Sequence, residues 1–337
     1  MTTRVALSRR SLIGALSAAA AGTLAWPLAA PGQNKLETAS VRLVLDPSTC
    51  LAPEYVAEAF LRDEGFTSIE YVEVATDADD QTAIAERKAD FAVDFALKYV
   101  TAIDAGLPIT VLGGLHIGCF ELFVHESIRN IHDLKGRRIG GEAIGGSSAQ
   151  QFLVSLGAAI GFDAVRDVRW VTEGTPSPLE LFLKGELDAF LAHPPEVQQL
   201  RARGVGHVLV SSTNDRPWSQ YYCCVIGTNN DFIRKHPVAT KAVIRSLLRA
   251  ADICATDPAR GARGIVERRG SEEYGAALAT LRDIPYGKWR DFSAEDTMRF
   301  YALRLHEAGM IKSTPEKIIA KGTDWRFLNE VKRDLKI

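Results

Sequence analysis

The sequence predicts an α/β protein built as two similar lobes, and three observations carry that expectation. Between residues 41 and 211, short apolar runs alternate with stretches of helical spacing, as strands and helices do when wound into largely parallel sheets. The segments ERKADFAVDFA (86–96) and LKGELDAFLAH (183–193) repeat one pattern: a helix end, a tight turn, an aspartate, then a short buried strand. Two extended stretches, near 120–127 and 212–225, are placed to carry the chain from one lobe to the other and back.

Taken in order, VRLVLD (41–46) is a buried first strand. The loop 47–51 leads to a helix from Pro53, a residue suited to a first helical turn, with Val56, Ala59 and Phe60 inward. IEYVEV (69–74) is the second strand, 81–88 a short helix, ADFAVDF (89–95) the third strand, and 97–105 a helix ended by Gly106. PITVLGGLH (108–116) and CFELFVH (119–125) are apolar extended runs. A second unit starts near Ile128, and its strand at Arg138 and Ile139 feeds the stretch GGEAIGGSSAQQFLVSLGAAIG (140–161). There Ser147 and Ser148 open a helix with Phe152, Leu153, Leu156 and Ala159 or Ile160 on one side. VRWVT (168–172), a helix near 178–184, LDAFLAH (187–193), a helix over 196–203 and HVLVS (207–211) complete the unit. QYYCCVIG (220–227) leads into a helical remainder, including a long helix over 237–256 with Val243, Leu247, Ala250 and Cys254 on one face. The expected organisation is therefore an export signal over 1–32, a first lobe of 40–124 with 225–337 and its C-terminal helices, and a second lobe of 125–224.

A chain of 337 residues with 46% hydrophobic and 24% charged content is long enough for two ordinary globular domains. Its net charge of −2 excludes a strongly basic nucleic-acid binder. At the N-terminus, Ser8-Arg9-Arg10-Ser11-Leu12-Ile13 precedes an Ala/Leu/Gly run and then Pro27 and small residues. This is a bacterial export signal of the twin-arginine kind, with cleavage expected between Ala29 and Gln33 and a periplasmic destination. Export puts the five cysteines in an oxidising compartment. Their number is odd and they show no Cys-x-x-Cys spacing, so neither a zinc site nor a thioredoxin motif is read, and no metal ligand is assigned. Cys223 and Cys224 read as two small packed residues on opposite faces of a strand, with a strained vicinal disulfide as the alternative.

The glycine-rich turn before the helix at Ser147 is the main binding candidate. The first N–H groups of a helix have no partner within it, and glycines such as Gly146 let a ligand approach the backbone. Ser147 and Ser148 add hydroxyl donors, giving a place for an anionic or strongly accepting group; simple helix capping is the other reading. No lysine follows the last glycine and no GxGxxG is present, so this is not a nucleotide loop. No Gly-x-Ser-x-Gly elbow or His-Glu-x-x-His pair occurs either, and no catalytic set is assigned.

The ADFAVDFA, AIDAGLPITVLGGL, IRNIHDLKGRRIG and GGSSAQQFL segments, followed by LKGELDAFLAHPPE and DFIRKHPVATKAVIRSLLRAADI, carry a resemblance in their order. Over about 41–252 the chain resembles extracytoplasmic solute-binding proteins of ABC importers. More narrowly, it is similar to the NMT1-like group, which includes nitrate, sulfonate (SsuA-like) and taurine binders and thiamine-pyrimidine-precursor proteins. The resemblance implies a type II periplasmic-binding fold, two lobes joined by a double crossover hinge that close over one small ligand. In such open sheets ligands lie beyond the carboxyl ends of strands, and the candidate residues follow strands.

Ser48 and Thr49 lie after the first strand and donate across the cleft or shape a turn. Asp94 and Glu173 pair with a ligand nitrogen or face water. His116 and His193 end strands as donors or as structural residues. Trp218 and Tyr221 offer flat surfaces to a ring or pack the hinge. The function implied is a non-enzymatic, monomeric binding subunit without cofactor. It would capture a small anionic or heteroaromatic solute such as a sulfonate, nitrate or pyrimidine-like compound and deliver it to a permease and ATPase. The alternatives are a sensor ectodomain of the same fold and a thiamine-pyrimidine-precursor synthase-like enzyme. The synthases use iron, a lysine-bound pyridoxal phosphate and a cysteine-rich motif, which only Cys223-Cys224 resembles here.

Overall fold

The computed structural model describes residues 35–45, 48–74, 80–141, 148–172, 176–270 and 273–336. The expected export signal lies outside them. The first part of the chain runs β1 (Ser40–Leu45), α1 (Ala52–Glu64), β2 (Ser68–Glu73), α2 (Asp80–Ala85), β3 (Phe91–Phe95), α3 (Ala96–Asp104) and β4 (Ile109–Ile117). The second runs β5 (Glu121–Val124), β6 (Arg138–Gly140), α4 (Ser148–Ile160), β7 (Arg169–Val171), α5 (Pro178–Leu183), β8 (Ala189–Ala192), α6 (Glu196–Arg203) and β9 (His207–Ser211). The third is β10 (Tyr222–Asn229) followed by helices: α7 (Asn230–Lys235), α8 (Pro237–Thr256), α9 (Pro258–Arg269), α10 (Tyr274–Asp283), α11 (Ala294–Glu307), α12 (Pro315–Gly322) and α13 (Arg326–Leu335).

The strands form two five-stranded sheets of matching design. One has the order β2-β1-β3-β10-β4 and the other β7-β6-β8-β5-β9. In each, three strands of one half pair in parallel, β1 with β2 and β3, and β6 with β7 and β8. The fourth strand of each order has crossed from the other part of the chain and runs antiparallel to both neighbours: β10 between β3 and β4, β5 between β8 and β9. The expectation of largely parallel sheets is therefore corrected at these two strands. Apolar periodicity reports burial and not direction, and a crossing strand enters its sheet from the opposite side. β3, β4 and β10 are buried along their whole length, which is why they read as continuous apolar runs.

The crossings lie side by side. The chain leaves the first sheet at Ile117 and enters the second at Glu121, slightly ahead of the stretch expected from sequence. Phe120 N–H donates to Ser212 Oγ at 2.9 Å, and Ser212 N–H donates back to Phe120 O at 2.9 Å. Gly118 has φ +75°, and a Cβ there would run into Thr213 Oγ1 of the other crossing. Only glycine suits both the backbone angle and the approach.

α8 buries Val243, Leu247, Ala250 and Cys254 as the spacing predicts. α1 packs against both α8 and α9. Its buried face consequently runs through Val56, Ala57, Phe60 and Leu61, and Ala59, expected inward, is exposed. On α4, Phe152, Leu153 and Leu156 are buried, but Ala159 and Ile160 are exposed at its end. One apolar core joins residues of both sheets, and a smaller cluster around Phe123, Phe182, Phe190 and Leu200 supports the second sheet.

Candidate functional site

The carboxyl ends of β1, β3, β4 and β8 and the two crossings converge on one region. After β1, Thr49 and Cys50 are buried and Ser48 is half-buried, with Leu51 N–H bonded to Ser48 O at 3.1 Å. Tyr286 Oη donates to Cys50 O at 2.7 Å and fixes that loop. At the end of β3, Asp94 accepts from Gln81 Nε2 at 2.8 Å and from Phe95 N–H at 2.6 Å, and it pairs with Lys98. Asp94 and Lys98 are both buried, so the carboxylate is already neutralised within the protein. His116, near the end of β4, is fully buried. Its Nδ1 lies 3.3 Å from Ile117 O, its ring meets Tyr286 edge-on at 5.3 Å, and Nε2 has no hydrogen-bond partner among the described residues.

The second half contributes through rings. Phe95 lies 4.9 Å from Phe120, and Phe120 stacks on Phe152 of α4 at 5.2 Å. Phe152 meets Trp218 at 6.2 Å, and Phe120 meets the half-buried His193 at 6.3 Å. Strand end, crossing, helix and return crossing thus share one aromatic cluster, the kind of surface that takes a flat or apolar group. Trp218 is buried, and its Nε1 has no hydrogen-bond partner among the described residues. His193 Nδ1 sits 3.0 Å from Pro194 O, and its Nε2 is 3.9 Å from Glu196. Tyr221 is stacked on Phe300 of α11 at 4.0 Å, one ring away from the cluster. Gly146, Ser147, Glu173 and the Ser148 side chain lie outside the described residues. The backbone of α4 begins at Ser148, and Ala149 to Val154 behind it are buried, with α4 packed on α3 and α11.

Against both crossings lies a cavity of about 260 Å³, lined among others by Cys119, Glu121, Pro194, Arg201, Asn214 and Asp283. Arg201 of α6 clamps Glu121 of β5 through two donors and reaches Asp283 of α10 at 3.0 Å. A larger cavity of about 490 Å³, bordered by Thr110, Asn230 and Asp324, opens at the other end of β4. It is remote from the carboxyl ends of the strands, where α/β sheets hold their ligands, and is set aside on that ground.

Beside the smaller cavity the fold assembles a group of which only one pair is close in sequence. Cys50, His116, Cys119 and Cys224 are all buried, with their ligand atoms within 4.8 Å of one another, a donor set suited to a thiophilic cation. The five cysteines are free thiols, and Cys223 and Cys224 have their sulfurs 3.8 Å apart rather than joined. Contacts from Cys119 and Cys224, with His116, hold the Cys50 thiol well below its ordinary value against the effect of burial. Burial pushes the Cys119, Cys223 and Cys224 thiols well above theirs. The one local signal for this group is His116-x-x-Cys119.

The architecture is shared with known proteins. The periplasmic nitrate-binding protein NrtA of Synechocystis PCC 6803 superposes with a TM-score of 0.72 at 14% identity, covering 90% of each chain. A protein of Bordetella bronchiseptica RB50 gives 0.70 at 19% identity over 90% of this chain and 100% of its own. The alkanesulfonate-binding protein SsuA of Xanthomonas axonopodis pv. citri, bound to MOPS, gives 0.66 at 17% over 86% of this chain and 99% of its own. At these identities the likeness establishes the fold, which is that of the periplasmic binding proteins. No curated protein matches the chain by sequence. The family model described as NMT1/THI5 like matches residues 48–261, from the loop after β1 into α9. That stretch holds both sheets' carboxyl-end loops and both crossings, and with more than half of its length so matched, the chain belongs to the NMT1/THI5-like family.

Proposed function

We propose that this protein is the extracytoplasmic solute-binding subunit of an ABC importer, exported by the twin-arginine route and acting as a monomer without catalysis. Its lobes, each built on one sheet, run over about 40–117 with 222–337 and about 121–211 rather than changing at 124/125 and 224/225, because β5 lies in the second sheet and β10 in the first. They hinge on the paired crossings and close over one small solute, which passes to a permease and ATPase. A ligand touching both lobes favours the closed state by its extra contacts there.

The observation that carries this reading is the aromatic cluster of Phe95, Phe120, Phe152 and Trp218, drawn from the first sheet, helix α4 of the second half and both crossings, with the buried Trp218 N–H unspent among the described residues. The solute is a small organic compound with a flat or apolar body and an acidic or strongly accepting group. Trp218 and His193 face the body. Ser48 and Thr49 line the β1 side with the fully buried His116 behind them, and Gly146, Ser147, Ser148 and Glu173 are assigned to the solute from their places in the sequence. Tyr221 supports the wall through Tyr301, which lies 6.3 Å from Tyr221 and 5.8 Å from Phe95. Asp94 reaches a solute only by exchanging Lys98 or Gln81, so its part is mainly to hold Phe95 in place. The nitrate-binding and MOPS-bound relatives support an anionic group on the solute.

Thermal-shift screening of the mature protein against sulfonates, nitrate, carboxylates and pyrimidines tests this directly. A binder at a hundredfold excess over its Kd stabilises the fold by about 2.7 kcal/mol, a readily visible rise in Tm. That rise should shrink in Trp218→Phe, which keeps the ring but loses the donor. Silence across all four classes would overturn the reading.

A further inference from the structure

We propose that Cys50, His116, Cys119 and Cys224 form a closed, four-ligand site for a thiophilic d10 cation, best fitted by Zn2+. This goes beyond solute binding and does not depend on it. The four donors come from the loop after β1, the end of β4, the first crossing and the start of β10, and their ligand atoms lie within 4.8 Å of one another. Zn–S and Zn–N bonds of about 2.3 and 2.0 Å in a tetrahedron put neighbouring donors about 3.5–3.8 Å apart. The four donors, none more than 4.8 Å from another, would close in by about 1 Å to reach that spacing.

Buried cysteines alone are ordinary, because a free thiol packs like a small apolar group. His116 is not ordinary. A fully buried imidazole whose Nε2 has no hydrogen-bond partner among the described residues carries an uncompensated desolvation cost. Coordination by the ring removes that cost. Nδ1–H donated to Ile117 O, 3.3 Å away, would fix the ring and leave the other nitrogen's lone pair free, as backbone carbonyls do for metal-bound histidines.

Three thiolates and one imidazole satisfy a tetrahedral cation with no position left for water or substrate, which marks a structural site rather than a catalytic one or a cargo site. Softness excludes Mg2+ and Ca2+, which prefer oxygen. Binding releases the thiol protons to solvent as the metal–sulfur bonds form, and no electron is transferred. Cys119 also lines the cavity between the crossings, which gives the ion a way in. Because Cys119 lies in one crossing and Cys224 follows the other, the ion would staple the base of the hinge. Cys223 and Cys254 stand outside the donor set.

The test is metal analysis of the mature protein purified without chelator or reductant, followed by exchange into Co2+. About one zinc per chain is expected, with thiolate-to-cobalt charge transfer and intense tetrahedral d–d absorption after exchange. Cys50→Ser and Cys224→Ser should lose the bound metal, while Cys254→Ala keeps it. Should the cluster variants fail to fold, the wild-type cobalt spectrum and its loss on chelation still decide. A metal-free chain that stays so after exposure to Zn2+, a disulfide within the four residues, or equal metal loss in Cys254→Ala would each overturn the site. Copper found in place of zinc would overturn the choice of ion. Zinc bound by a protein that answers no solute would leave this site standing and count against the solute reading alone.

Discussion

Asp90 and Asp188 play the same part in the two halves of the molecule. Each stands just before a buried strand and accepts the backbone N–H of an arginine on the neighbouring strand, Arg42 at 2.8 Å and Arg138 at 2.9 Å. Each returns its own N–H to that arginine's carbonyl, at 2.8 and 3.0 Å. The carbonyl of each is then taken by the strand that crosses from the other half: Thr228 Oγ1 donates to Asp90 O at 2.6 Å, and His125 N–H to Asp188 O at 3.2 Å. The repeated aspartate is thus a register pin that joins three strands in each sheet.

The two pins should differ in strength. Asp90 is buried and pairs with the Arg42 guanidinium at 2.8 Å, whereas Asp188 is half-buried and meets Arg137 at 3.3 Å. Charge-assisted bonds of this kind contribute about 1.5–3 kcal/mol, less where water competes. Asp90→Ala should therefore cost about 2–3 kcal/mol in urea unfolding and Asp188→Ala about 1 kcal/mol. Equal losses would mean that the backbone bonds alone set the register.

The echo that exposes these aspartates also shows why so much of the fold was legible. Fully buried strands such as β3 and β4 leave nearly continuous apolar runs, and Pro108 and Gly118 punctuate the ends of β4. What sequence pattern could not carry was anything decided at a distance. The antiparallel entry of β5 and β10 depends on the chain changing lobes. The outward turn of Ala59 depends on a second helix, α9, covering a different face of α1. The cysteine–histidine group depends on Cys50, His116, Cys119 and Cys224 meeting across three strands of one sheet, and only His116 and Cys119 are near in sequence. Of the candidate site, Phe120 and Phe152 carry no sequence sign of facing a ligand, because an apolar residue in an extended run or a helix reads first as core.

Two glycines in the strand pair β4–β10 should not tolerate a methyl group. A Cβ at Gly114 would enter the Tyr222 ring, and one at Gly227 the Tyr99 ring. Both rings are anchored: Tyr222 Oη donates to Trp289 O at 2.6 Å, and Tyr99 Oη to Ala92 O at 2.8 Å. Neither can swing away cheaply, so Gly114→Ala and Gly227→Ala should each lose about 1–3 kcal/mol through overpacking. Gly275 in α10 has open space and ordinary φ, so Gly275→Ala should gain about 0.4–1 kcal/mol. Thermal unfolding of the three variants checks the contrast, which disappears if the strands can spread.

Glu37 caps the twenty-residue helix α8 from outside it. Its carboxylate accepts Val238 N–H at 2.9 Å and Ala239 N–H at 3.0 Å. Burial acts to raise this carboxyl, but the two N–H groups, aided by His236, hold it below its usual value. A carboxyl lowered on folding stabilises the native state above the unfolded pKa of about 4.3 and loses that contribution as pH falls through the lower folded value. Glu37→Gln should cost about 0.5–1 kcal/mol at neutral pH, in the range of helix caps, and the gap from wild type should close in acid. A pH-independent gap in denaturant midpoints would show that the charge is irrelevant to the cap.

Arg201 offers the clearest handle on closure, because it ties α6, beside the second sheet, to α10 among the C-terminal helices. It reaches Asp283 at 3.0 Å, and Gln198 of the same helix donates to that carboxylate at 3.1 Å. Asp283 itself is exposed enough for water and salt to compete, so the contact should contribute no more than about 1 kcal/mol to the closed state. Under the proposed hinge closure that difference passes into affinity, since only the closed form would hold the solute on both sides. Asp283→Ala should weaken solute binding about two- to fivefold while leaving unfolding by urea almost unchanged. It should also enlarge the ligand-free radius of gyration in solution scattering, and added salt should shrink the difference between variant and wild type. Glu121→Ala separates closure from folding. That carboxylate is buried within β5 and joined to Ser211 Oγ at 3.2 Å as well as to Arg201, so its loss should lower stability first. If Asp283→Ala lowers stability as much as Glu121→Ala does, the Arg201 contact is part of the fold's core and not a latch between moving parts.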